Sequence, residues 1–154
     1  MRTMLLSFKP EVFKKIKKGE KIFEHRRVFP NEPIKAFIYV SRPIQAIMGI
    51  VYLNNRVDIE SWKEQYSYDS DALKRIDKYL LQYRVAVQIK EFQNTSAITL
   101  NELKNNFPNF LIPQMYYFLD DLPLLKFLES SLKELDQPIK HNFDHIDSSL
   151  ICVN

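Results

Sequence analysis

Short apolar runs alternating with charged helical stretches set the outline of the chain. Met4 to Phe8 is a compact apolar run that reads as a buried first strand. From Pro10 to Lys18 the period becomes helical, with Pro at the first position, Glu11 in the first turn and lysines in the last. Val12, Phe13 and Ile16 share one face of that helix and Lys14, Lys15, Lys17 and Lys18 cover the rest. Gly19 follows as a left-handed C-cap and turns the chain into a strand from Lys21 to Arg27. In that strand Ile22, Glu24 and Arg26 face one way and Lys21, Phe23, His25 and Arg27 the other.

Ala36 to Val40 is apolar at every position, as expected of a central strand, and Ala46 to Leu53 predicts its neighbour. Gly49 inside that neighbour predicts a bulge, a barrel corner or a close approach. Residues 58 to 82 read as two helices. Asp58 or Ser61 caps the one containing Trp62 and Tyr66, and Ser70 caps the one carrying Leu73, Ile76, Leu80 and Tyr83. Arg84 to Phe92 alternates as a half-exposed strand. Thr99 and Glu102 form a capping box opening a short helix, and Met115 to Leu119 suits a last barrel strand. Leu125, Leu128, Leu132 and Leu135 then recur at helical spacing, predicting an amphipathic helix before a more polar tail.

Composition narrows the chemistry. With 154 residues, 45% hydrophobic and 27% charged, the chain has the profile of one ordinary globular domain. No apolar run approaches the ~18 residues needed to span a bilayer, so no membrane association and a cytoplasmic location are expected. The lone Cys152 permits no internal disulfide and reads as an incidental buried thiol. The net charge of +3 is unevenly spread: residues 1–43 hold eleven Lys/Arg against four Asp/Glu, leaving the rest net acidic. A basic first third attracts anionic partners and makes any nucleic-acid binding salt-dependent.

Two glycines cannot build a P-loop or a dinucleotide fingerprint, and no nucleophile-elbow serine is present. No cofactor is therefore expected. His141 and His145 stand four apart near Asp144 and Asp147, a helical zinc spacing without a third ligand, and no metal site is assigned. The remaining concentration of chemistry is Lys21, Glu24, Arg26 and Arg27, with Ser41, Arg42 and Gln114 as further candidates. A carboxylate beside a guanidinium holds both in place and leaves N–H donors for a phosphate, carboxylate or carbonyl. Tyr39, Phe23 and Tyr117 are aromatic candidates for stacking on a base, with Phe23 better suited to the core.

The run from Lys9-Pro10-Glu11 through Gly19, Lys21, Glu24 and Arg26-Arg27 to Ile38–Pro43 and Ile47-Met48-Gly49 resembles the ASCH family of the PUA-like superfamily. Gly19, Lys21, Glu24 and Arg26 match all four positions of its G-x-K-x-x-E-x-R signature. Thr99–Leu103 and Ile112–Leu119 are similar to its closing helix and its P-Q-x-x-x-x-L end, so the likeness covers residues 4–119. It implies an α+β fold: a small PUA-like, mixed but mainly antiparallel β-barrel of about five or six strands, with flanking helices and an extra C-terminal helix. Residues 1–122 would form the ASCH/PUA-like domain, and 123–154 a helix and tail packing on it.

The resemblance also implies that the signature lines a cleft between the barrel and the first helix. Two function classes follow. One is a module binding RNA or a modified nucleotide, in RNA processing or in regulation of transcription or translation. The other is an amidohydrolase acting on N4-acylated cytidine-like nucleosides, with Lys21 and Glu24 catalytic. The lysine of that enzyme group falls on Lys21, but its threonine position is occupied by Glu24. A monomer or weak dimer is expected, with the Leu125–Leu135 helix as a possible protein-binding face.

Overall fold

The computed structural model describes all 154 residues, Met1–Asn154. Its elements run β1 (Arg2–Phe8), α1 (Pro10–Lys17), β2 (Phe23–Arg26), β3 (Ile34–Val40), β4 (Ala46–Asp58), α2 (Trp62–Gln65) and α3 (Ser70–Tyr79). Then follow β5 (Val85–Thr99), α4 (Leu100–Asn106), β6 (Tyr116–Phe118), α5 (Pro123–Ser131) and β7 (Glu134–Lys140). One curled, seven-stranded sheet has the order β2-β5-β4-β3-β1-β6, with β7 also pairing β5. Only β1 and β3 run parallel, joined through α1 and β2, so the fold is α+β with a mainly antiparallel half-barrel.

Curvature comes from two long, bulged strands. The β4–β5 register shifts between Ile47 and Gly49, between Tyr52 and Leu53, and between Asn54 and Arg56. Each shift leaves one or two extra residues on one strand, which sharpens the local twist. At Gly49 the sheet has no room for a side chain: a Cβ would lie 3.0 Å from Phe92 Cε1 and 3.2 Å from Phe13 Cε1. The glycine thus lets the α1 face and the β5 face meet inside the barrel.

Three apolar clusters fill the molecule. The largest holds Leu6, Phe13, Ile16, Ile38, Val87 and Phe92 inside the barrel beneath α1. A second, under α4 and α5, contains Phe37, Ile47, Leu103, Leu124 and Leu128. The third packs Phe23, Trp62, Tyr66, Ile76, Ile151 and Cys152 between α3, β2 and the last residues.

Several local expectations hold. Pro10 opens α1, Gly19 has φ +77°, and the Thr99–Glu102 capping box is formed. Others are corrected. The cap of α3 is Asp69, whose carboxylate accepts from the main-chain N–H groups of Asp71 and Ala72, and Ser70 is already helical. The expected Leu125–Leu135 helix ends at Ser131 with Leu132 extended, and Leu135 lies on β7. Its inward residues are Leu124 and Leu128, so its apolar face covers the second cluster. The strand count is seven, because β5 continues to Thr99 and β7 pairs with its far half. His141 and His145 lie beyond β7 outside any helix, so the i, i+4 geometry does not form. No helix is long and apolar enough to cross a membrane.

Candidate functional site

The sheet's end strands, β2 and β6, do not pair, and a cavity of about 470 Å³ lies between β2 and the end of β1. Ser7, Phe8 and Lys9 form one wall and α1 contributes Glu11 and Val12. Lys21 and the run from Glu24 to Arg27 form the opposite wall; Gln82, Tyr83, Met115 and Asn154 complete the rim. The geometry follows from local sequence. Gly19 reverses the chain after α1, and the Ile89 N–H bonds the Ile22 carbonyl, so Lys21 is carried to the mouth of an edge strand. Because β2 has only β5 beside it there, groups from both of its faces reach the gap.

The polar groups of this wall are buried to a degree unusual for charges. Lys21 is 3% exposed, Glu24 7% and His25 4%. Glu24 Oε1 accepts from the His25 main-chain N–H at 3.0 Å, while Oε2 lies 3.7 Å from an Arg26 terminal nitrogen and accepts no hydrogen bond. Arg26 Nε and His25 Nε2 also lack partners. Lys21 Nζ donates to the Val153 carbonyl at 3.2 Å and lies 3.5 Å from His25 Nδ1. Burial lowers the Lys21 pKa, only partly offset by the Glu24 charge, and it pushes His25 well below its ordinary value, helped by Lys21. His25 is therefore neutral at pH 7, and its ring packs edge-on against Tyr79 at 4.8 Å between centroids.

Unpaired buried acceptors and donors cost free energy unless a ligand completes them. Glu24 Oε2 offers an acceptor and Arg26 Nε a donor, so the wall has hydrogen-bonding capacity for both proton-donating and negatively charged groups.

Of the residues anticipated from sequence, Lys21, Glu24, Arg26 and Arg27 are together in the cavity wall. Ser41, Arg42 and Gln114 are not among its lining: Ser41 donates its main-chain N–H to Phe8, and Arg42 is exposed in the β3–β4 turn. Gln114 is exposed beside Met115, which does line it. Tyr39 is buried in the second cluster, and Tyr117, whose hydroxyl donates to the Leu111 carbonyl, lies elsewhere, so neither lines this cavity. Phe23 is core, against Trp62 and Phe143. His25, Tyr83 and Asn154 were not anticipated. His25 stands inside the signature block, but the contribution of Asn154 had no sequence signal.

The first helix lies beside the open seam of a curled half-barrel, and a Gly-x-Lys-x-x-Glu-x-Arg segment borders that seam. No protein-family model matches the chain. It is 28% identical over 128 residues to the ASCH domain-containing ribonuclease of Zymomonas mobilis, covering 75% of this chain and 82% of that one. The crystal structure of ASCH from the same organism superposes with a TM-score of 0.65 at 25% identity, covering 88% of this chain and 99% of that one. Crystal structures of a serine-to-alanine and a tyrosine-to-phenylalanine mutant of ZmASCH both give 0.64 at 25% identity, covering 84% and 86% of this chain. In sequence and in fold the chain is similar to these ASCH domain proteins.

Proposed function

We propose that the chain is an RNA-directed ASCH protein that binds RNA at the β1–β2 seam and cleaves it. The observation that carries the reading is the set of buried polar atoms lacking partners, Glu24 Oε2, Arg26 Nε and His25 Nε2, around one cavity. The similarity to a protein named as a ribonuclease supports RNA as the substrate class. The basic first third supports an anionic ligand.

In this reading the Arg26 guanidinium holds a phosphate, for which its planar fork is suited. Glu24 Oε2 accepts the proton of the ribose 2′-hydroxyl as the 2′-oxygen attacks phosphorus. Lys21 stabilises the charge on the five-coordinate phosphorus and, its pKa lowered by burial, returns a proton to the leaving 5′-oxygen. The P–O5′ bond breaks, giving a 2′,3′-cyclic phosphate and a free 5′-hydroxyl with no redox change.

A second reading rests on size. A cavity of about 470 Å³ suits a single nucleoside. Glu24 would then activate water against an N4-acyl group, with Lys21 or Arg26 holding the oxyanion.

The test is incubation of the protein with end-labelled single-stranded RNA and, separately, N4-acetylcytidine, with and without added divalent cation, beside Lys21→Ala and Glu24→Gln. Wild-type RNA cleavage lost in both variants is expected. RNA binding without cleavage would leave a reader module, nucleoside deacetylation would establish the second reading, and inertness toward all substrates would overturn both.

A further inference from the structure

Beside the seam lies a second cavity of about 440 Å³, which shares Gln82, Tyr83 and Asn154 with the first. Its lining carries Lys15, Arg75 and Lys78 and no Asp or Glu side chain, whereas the first cavity mixes cations with Glu11 and Glu24. Arg75 is already committed, donating to the carbonyls of Ser148 and Ile151. Lys15 and Lys78 are exposed, one on α1 and one on α3, on opposite sides of the hollow.

Asn154 lines both cavities and Val153 the second. Their main-chain oxygens are each taken by a lysine: Val153 by Lys21 on the first side, Asn154 by Lys15 on the second. The Tyr79 hydroxyl also donates to Asn154 Oδ1 at 2.9 Å. The main-chain oxygens of two successive residues bordering the cavities are thus already held by lysines. Tyr83 borders both cavities, its ring packed near those of Tyr79 and His25.

We infer that the second cavity is a phosphate subsite of the same groove, so that the ligand is a single-stranded RNA of at least two nucleotides, its next phosphate held by Lys15 and Lys78. This rests on the RNA reading of the seam and decides between a polymer and a free nucleoside. The strand crosses Val153 and Asn154, replacing their oxygens on the lysines with its own. A basic hollow without Asp or Glu side chains suits a phosphodiester, and such contacts make affinity salt-dependent.

The experiment measures binding of uridine monophosphate, the dinucleotide UpUp and a tetrauridylate at several salt concentrations. The proteins are wild type, Lys78→Gln, Lys15→Gln, the double variant and Lys126→Gln on α5 as a charge control outside both cavities. Wild type and Lys126→Gln should bind the dinucleotide about tenfold more tightly than the mononucleotide, the scale of one charge-assisted contact. In the double variant that step disappears while mononucleotide affinity stays. The salt slope for the tetranucleotide falls by about 0.7 for each lysine removed. Equal affinity for mono- and dinucleotide in wild type, or a step that survives the double variant, overturns the subsite. No binding of any of the three by wild type overturns the seam reading and the subsite with it. Melting temperatures confirm that the exposed substitutions leave the fold intact.

Discussion

Glu24 and Arg26 lie on the same face of a four-residue edge strand with 3.7 Å between the nearest carboxylate and guanidinium atoms, and neither is fully partnered. The separation is too long for a tight bidentate pair, so the two orient each other while keeping hydrogen-bonding capacity for a third party. Substituting Glu24 by Gln separates these roles. The amide keeps an oxygen for the His25 N–H and preserves shape, so the melting temperature should stay within about 3 °C of wild type. RNA cleavage should fall by about 10²-fold or more, because the proton acceptor is gone. Unchanged turnover in Glu24→Gln would remove Glu24 from the chemistry. A large loss of stability would instead make the pair structural.

The signature stretch was legible because its chemistry is local: a glycine C-cap, then charges at alternating positions, places Lys21 to Arg27 without knowledge of the rest. The far half of β5 was not, since Gln93-Asn94-Thr95-Ser96 has the look of a loop. Gln93 and Thr95 are nevertheless buried, their polar groups taken by nearby carbonyls, those of Leu135 and Ser96 among them. β7 escaped because it is a mostly exposed edge strand with a proline, defined by its pairing and not by its own pattern. The leucine period ran on past Ser131 although the helix did not. Ser41, Arg42 and Gln114 follow elements that end near the seam, yet they lie outside its lining. Adjacency in the chain did not carry over to the wall.

His25 gives stability a pH dependence of definite sign. Its folded pKa is depressed by burial and by Lys21, while in the unfolded chain it is about 6.5. As pH falls below about 6.5 the unfolded chain takes up a proton that the folded protein refuses, so stability present above that pH is lost progressively down to the folded pKa. His141, also lowered by burial, acts in the same direction. The melting temperature should therefore drop between pH 7 and pH 5, and His25→Gln should shrink that drop. An identical pH slope in His25→Gln would show that the ring is protonated in the folded protein.

Cys152 is 1% exposed in the third cluster, and burial raises its thiol pKa to about 12. The thiolate is the reactive form, so the native protein at pH 8 should react with a thiol-specific chromogenic disulfide far more slowly than a small thiol does. Full reactivity should return in denaturant. Ile151 and Cys152 are held by Arg75 and by packing on α3, so labelling also reports whether Val153 and Asn154 stay docked at the seam. Immediate stoichiometric labelling of the native protein would mean that these residues leave the site freely.

The two glycines should fail differently when replaced by alanine. At Gly19 a Cβ meets only ordinary contacts, 3.5 Å to Ile139 and 3.7 Å to His141, so the cost is that of holding φ +77°, about 1–2 kcal/mol. At Gly49 the backbone is unstrained in that sense, but a Cβ would press within 3.0 Å of Phe92 and 3.2 Å of Phe13, side chains already packed edge to face. Overpacking of that kind costs about 1–3 kcal/mol, or roughly 2–4 °C of melting temperature per kcal/mol for a chain of this size. The discriminating measurement pairs each alanine with a second substitution. Asparagine at 19, which tolerates the left-handed region, should recover part of the loss, whereas Gly49→Ala should recover only when Phe92 is shortened to Leu. Full stability in Gly49→Ala alone would show that the barrel wall moves aside at no cost, and that the close packing of α1 on β5 does not require a glycine.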